Sequence, residues 1–194
     1  MKDELLKVFE DALRLKRTVR SGWPYYGIKD AESVADHSFG VAFVTLLLGK
    51  ILKSQGIEID MEKALAMAII HEIGESRLGD LHLESRRHLG KETVRQAEES
   101  AVRDVFSQLG HLGDELTAIW KEFEDGQTTE AILVRAADKV ELMLQALEYE
   151  KAGYRNLDLI FSAPENSLFF DKFGLVRELV ESILSARTRI RAQS

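Results

Sequence analysis

The stretch AIIHEIGESRLGD, residues 68–80, sets His71, Glu72, Glu75 and Asp80 at the end of an apolar run. If one helix continues through it, His71 and Glu75 share a face at i,i+4, and Glu72 lies about 100° around the axis. An imidazole nitrogen beside carboxylate oxygens suits a divalent Zn, Mn, Co or Fe ion. One helix supplies two ligands at most, so other segments must contribute. His37, in ESVADHSFGVAF, shares a helical face with Val41, Val44 and Leu48 and so points inward. Asp138, in ILVRAADKVELMLQALEYE, is flanked at four-residue spacing by Val134 and Leu142. A carboxylate on such a stripe costs several kcal/mol unless it is paired, protonated or metal-bound. His37, His71, Glu72 and Asp138 together offer two imidazoles and two carboxylates, the charge that neutralises a divalent ion.

Each residue also has a plainer reading. A lone histidine on an apolar face is more often a satisfied core residue. Asp138 can pair with Lys139 or Arg135, and Glu75 and Asp80 can be solvated carboxylates. His82, His88 and His111 stand in polar stretches and read as surface residues.

Apolar spacing of three and four residues runs through the chain, and period-two strands are missing. Amphipathic helices are expected over 2–19, from a Ser33 cap to 54, from an Asp60 cap to about 75, and over 91–109. Further helices are expected over 114–124, 129–152 and 169–191. Ser33 and Asp36 fit a capping box. Residues 20–32 read as a structured loop, 77–90 as a loop with a short helical turn, and Gly110 and Gly113 as breaks. The expected fold is an all-α bundle of six to eight helices in a single domain, residues 1–194.

Bulk properties narrow the function. With 194 residues the chain can bury one good core. The absence of cysteine excludes disulfides, thiolate metal sites and a cysteine nucleophile and fits a cytoplasmic setting. The N-terminal segment alternates charge with hydrophobe and is not a secretory signal. The longest apolar run, VAFVTLLLG, is far below the roughly 20 residues that span a bilayer. A net charge of −7 argues against a nucleic-acid polymer as the main partner.

Five ordered pieces carry a resemblance: RSGWP at 20–24, ESVADHS at 32–38, HEIGESRLGD at 71–80, KEFE at 121–124 and ADKVELMLQALEYE at 137–150. From about residue 14 to 152 the chain resembles the HD-domain metal-dependent phosphohydrolases, especially the 5′-deoxynucleotidase-like branch. The resemblance implies that His37, His71 and Asp138 are metal ligands. Position 72 departs from the family's His-Asp: Glu72 keeps an oxygen donor but extends it by one methylene. Glu75 and Asp80 match positions that hold and activate water or protonate the leaving group. Arg20 matches a basic residue that holds the substrate phosphate, with Trp23 and Pro24 shaping the pocket beside it.

The implied activity is a metal-dependent phosphomonoesterase acting on deoxyribonucleoside 5′-monophosphates. One divalent Co, Mn, Zn, Fe or Ni ion is implied, and a second is left open. Hydrolysis of another phosphate ester or a nucleoside triphosphate, or a non-catalytic metal- or nucleotide-binding role, is the alternative. The expected partners are a small phosphorylated substrate and a second copy of the chain in a homodimer, with no nucleic-acid polymer and no membrane.

Overall fold

Three helix starts follow local chemistry. Ser33 and Asp36 cap reciprocally: the Ser33 amide donates to Asp36 Oδ2 at 2.9 Å and the Asp36 amide to Ser33 Oγ at 3.2 Å. Asp60 Oδ1 accepts from the Lys63 amide at 3.1 Å, and Thr128 Oγ1 from the Ala131 amide at 3.3 Å. The computed structural model describes residues 2–162 and 168–192.

The helices are α1 (Lys2–Arg14), α2 (Gly22–Tyr25), α3 (Val34–Ser54), α4 (Met61–Ile70), α5 (Glu75–Leu78) and α6 (Leu83–Leu89). They continue as α7 (Lys91–Phe106), α8 (His111–Asp125), α9 (Thr129–Lys151), α10 (Asp158–Ser162) and α11 (Gly174–Ala192). Among the described residues, eight of them have seven residues or more. Among the described residues there is no strand, only an isolated antiparallel bridge between Val19 and Ser33. The all-α expectation therefore holds. Helix α3 is by length and composition apolar enough to cross a membrane, although its longest unbroken apolar run is short.

The chain gathers into two compact units. Residues 1–39 and 69–125 form the first, and residues 40–68 and 126–194 the second. In the first, Leu15, Val34, Ile73, Val102, Val105, Phe106 and Trp120 make a buried cluster. In the second, α9 contributes its apolar stripe, with Ala131, Leu133, Val134, Ala137 and Val140 fully buried.

Helix α4 departs from the expected run to residue 75. It stops at Ile70, and residues 71–74 form turns before α5. In a continued helix the His71 carbonyl would accept the Glu75 amide. Instead the Glu75 amide donates to the Glu72 carbonyl at 3.0 Å, and the His71 carbonyl accepts Trp120 Nε1 at 3.1 Å. Gly74 sits in this turn because α7 is close: a Cβ there would meet Val102 Cγ2 at 3.3 Å and the Glu98 carbonyl oxygen at 3.4 Å.

Gly113 is not a break but part of α8. Its Cβ would fall 2.1 Å from the Phe106 carbonyl oxygen, so glycine is present for close backbone approach. Residues 83–89 make a fuller helix than a single turn. The short α10 escaped the periodicity reading because an ion cluster holds it. Arg187 donates to Glu150 at 2.9 and 2.7 Å and to Asp158 at 2.9 Å, with its guanidinium 3.9 Å from the Phe161 ring centroid.

Glu150 is 2% exposed. Burial pushes its carboxyl up, but hydrogen bonds and charge from Arg187 and Arg191 outweigh that and hold it below the ordinary range. Losing Arg187 takes two hydrogen bonds from the buried Glu150 carboxylate and leaves it Arg191, whose Nη2 is 3.0 Å from Oε1, so its burial is less well compensated. Arg187→Met is therefore expected to destabilise the protein by about 3 kcal/mol at pH 7. The difference from the parent should shrink as pH falls through the depressed Glu150 value, because the pair is lost there in both proteins. Urea unfolding at several pH values reads both effects; an unchanged midpoint at pH 7 would sink the assignment.

Candidate metal and phosphate site

Three strands of connection hold the first unit's polar cluster in place. The Arg20 amide donates to the Glu32 carbonyl at 3.1 Å and the Val34 amide to the Thr18 carbonyl at 2.8 Å, tying the 18–21 segment to the start of α3. The Ser21 amide donates to Asp80 Oδ2 at 2.7 Å, which joins that segment to the turn after α5. Trp120 anchors the His71 turn from α8, and the Phe123 ring lies edge-on to His71 at 5.4 Å.

Within this frame His37, Glu72 and His71 meet. One ligand atom from each lies within 4.8 Å of the others. Glu72 Oε1 is 3.9 Å from His37 Nε2 and 3.8 Å from His71 Nε2. Two metal–ligand bonds of about 2 Å each span at most ~4 Å, so these separations suit one shared cation. Both Nε2 atoms are sealed from solvent. The donor set, two imidazole nitrogens and a carboxylate oxygen, fits a divalent first-row ion.

Around the three stand Arg20, Glu75 and Asp80. Arg20 Nη1 donates to Glu72 Oε1 at 3.0 Å and lies 3.9 Å from Asp80 Oδ2. Glu75 is 6% exposed. Burial pushes its carboxyl up to about 10; Glu72 and Asp80 add repulsion, and Arg20 offsets part of it. Arg20 thus stands among Glu72, Asp80, the buried Glu75 carboxyl and two buried imidazoles, a set of donors that suits a metal ion.

The remaining expected residues are placed differently. Trp23 is buried, and its Nε1 donates to Glu32 Oε1 at 2.8 Å; Pro24 is exposed. Asp138 belongs to the second unit, where Lys139 Nζ is 2.9 Å from Oδ2 and the residue is 8% exposed. Lys139 was one of the two plainer partners foreseen for it. His88 and His111 are exposed, as surface residues should be. His82 is half-buried and caps α6: its Nδ1 accepts from the Glu84 amide at 3.0 Å.

Four neighbours lay outside the sequence reading of the site: Glu32, Arg86, Trp120 and Phe123. Burial works against charge on Arg86, but Glu98, Glu72 and Glu124 outweigh it and keep the guanidinium firmly charged. Its position in a polar stretch, RRH, carries no local signal. Phe123 falls inside KEFE, which was singled out as a piece without a role for its ring.

Known proteins resemble the chain over most of its length. The family model of the HD domain matches residues 12–166. A 5′-deoxynucleotidase of Dictyostelium discoideum is 38% identical over 153 residues, spanning 77% of this chain and 80% of that protein. A 5′-deoxynucleotidase of Schizosaccharomyces pombe is 34% identical over 157 residues, spanning 78% and 75%. A conserved hypothetical protein of Pyrococcus furiosus has a solved structure that superposes with a TM-score of 0.79. It is 41% identical, with 94% of this chain and 99% of that one covered. The chain belongs to the HD-domain family.

Proposed function

We propose that the chain is a metal-dependent 5′-deoxynucleotidase, releasing phosphate from deoxyribonucleoside 5′-monophosphates. The observation that carries this reading is the meeting of His37, His71 and Glu72 donor atoms within 4.8 Å, with Arg20, Glu75 and Asp80 around them. The substrate class is supported by similarity to proteins named 5′-deoxynucleotidases.

His37, His71 and Glu72 would hold one divalent ion. A bound divalent ion supplies polarisation of a phosphoryl oxygen and acidification of water. Arg20 turns its guanidinium to the substrate phosphate, whose oxygens match its fork. Glu75, held protonated by its burial, is the group that moves a proton: it gives one to the departing 5′ oxygen and regains one from the attacking water. A nearby cation neutralises part of the repulsion on Glu75 while its burial persists. Asp80, fixed by the Ser21 amide, positions Arg20 and water. Trp23 shapes the pocket from beneath through its bond to Glu32, and Pro24 stiffens the turn that follows.

We read the two compact units as one HD-type domain and the protein as a cytoplasmic homodimer acting on a small molecule, away from nucleic-acid polymers and membranes. The dimer is supported by the family resemblance and by the stripe Phe43, Leu47 and Ile51 on α3, which is 43–53% exposed at four-residue spacing.

The test is chelation followed by single add-back of Mn, Co, Zn, Fe or Ni, with phosphate release assayed on dAMP and AMP. Release from dAMP that vanishes with chelator and returns with one metal is expected, with little from AMP. Equal release from both removes the sugar preference. Metal binding without release from either turns the reading to other phosphate esters, triphosphates or a binding role.

A further inference from the structure

Two aromatic rings beside the site, Tyr25 and His82, have no part in the chemistry just described. Trp23 and Tyr25 lie two residues apart on the single turn α2, about 200° around its axis, so burying Trp23 turns Tyr25 outward. Trp23 is 2% exposed and Tyr25 67%. The turn is closed by the Tyr26 amide on the Trp23 carbonyl at 2.9 Å and by Gly27, at φ +80°, whose amide reaches the Pro24 carbonyl at 2.9 Å. Exposed as it is, the Tyr25 ring is held on two sides. Tyr26 meets it edge-on at 5.7 Å, and His82 lies 5.5 Å away with the planes 33° apart. The His82 ring is itself oriented by the Glu84 amide on its Nδ1.

We propose that Tyr25 and His82 form the platform on which the substrate's nucleobase stacks; the proposal rests on the phosphomonoesterase reading. Chain connectivity puts the platform next to the phosphate end. Tyr25 follows Arg20 by five residues and Ser21 by four, His82 follows Asp80 by two, and the Ser21–Asp80 bond of 2.7 Å joins the two segments. Two residues reach at most ~7 Å. A nucleobase stands one sugar away from its 5′ phosphate, so a phosphate at Arg20 brings the base to the rim where these rings are fixed. Preordered rings lose little freedom on binding. Stacking uses a face that every base possesses, so the platform selects a nucleotide over a bare sugar phosphate without reading the base edge.

The test compares dAMP with deoxyribose 5-phosphate, which keeps the phosphate and sugar and lacks the base. Tyr25→Ala removes one ring; His82→Asn removes the other while keeping a capping side chain; Tyr25→Phe keeps the stack. Base stacking is worth ~1–3 kcal/mol, so Tyr25→Ala and His82→Asn are expected to raise KM for dAMP about 5- to 100-fold with kcat nearly constant. Deoxyribose 5-phosphate should show no such change, and Tyr25→Phe should follow the parent. Equal kcat/KM for the two substrates in the parent, or equal losses on both in the variants, overturns the platform and leaves the phosphatase intact. A parent that releases phosphate from neither sinks the phosphatase reading. Equilibrium binding then judges the platform: tighter binding of dAMP than of deoxyribose 5-phosphate, lost in Tyr25→Ala, supports it, and equal binding overturns it.

Discussion

A Glu75→Gln protein is expected to lose about 10²–10⁴-fold in kcat/KM for dAMP, the range that general acid–base groups contribute. Glutamine keeps the size and the hydrogen-bonding outline but cannot carry a proton, so the loss should fall on kcat more than on KM. The same substitution has a second signature in metal-stripped protein. Glu75 ordinarily ionises near 4.5, and in the fold its carboxyl is pushed up to about 10. Between those values the folded protein holds a proton that the unfolded chain has released. Stability therefore falls as pH rises through that window, by up to about 1.4 kcal/mol per pH unit. The parent should lose stability from pH 5 to 9 in chelator, and Glu75→Gln should give a flatter profile. Full activity in the variant would move the proton-carrying role to Asp80.

Arg20→Ala is the second large loss. Removing one preorganised donor from a developing anionic centre costs about 10²–10³-fold in rate. Arg20 is the cation nearest the ligand cluster, 3.0 Å from Glu72, so its loss removes both the anchor for a phosphate and the group that orients that carboxylate. Arg20→Lys should recover only part of the activity, because an ammonium restores charge but not the two-pronged match to phosphate oxygens. Metal affinity separates the two jobs: outer-sphere partners of a ligand are worth about 10–100-fold in affinity. Arg20→Ala with unchanged metal affinity and a large kinetic loss points to the phosphate. A kinetic loss that only tracks metal affinity would show Arg20 to be a support for Glu72.

Much of the fold was legible because the signals are local. The Ser33–Asp36 box, the Asp60 cap and the apolar spacing of α3, α7 and α9 need only neighbours in sequence. The end of α4 was not legible in this way. Nothing between 60 and 75 says that the His71 carbonyl will be taken by Trp120, far along the chain. Helical phase placed His71 and Glu75 on one face and Glu72 apart, whereas the turn brings Glu72 Oε1 within 3.8 Å of His71 Nε2. The residue types of the cluster could be chosen from sequence, but their separations belong to tertiary packing. Gly113 was misread for the same reason, since the carbonyl it accommodates belongs to Phe106 on another helix. The role of Tyr25 was also hidden: its partner His82 looked like a solvated residue in a polar loop.

The division of the chain has a consequence for how the protein is born. The first unit needs residues 69–125 to join residues 1–39, and the second needs residues 126–194 to join 40–68. Ribosomes deliver roughly 5–20 residues per second, so each early segment waits seconds for its complement. Helix α3, among the most apolar stretches of the chain, emerges long before α9 and α11. A chain released at residue 125 carries every segment of the first unit, yet residues 40–68 lack the portion of their own unit that follows. Nascent and prematurely terminated chains therefore expose an apolar helix, which makes them natural clients for chaperones and proteases, and makes α3 the segment on which recombinant yield depends.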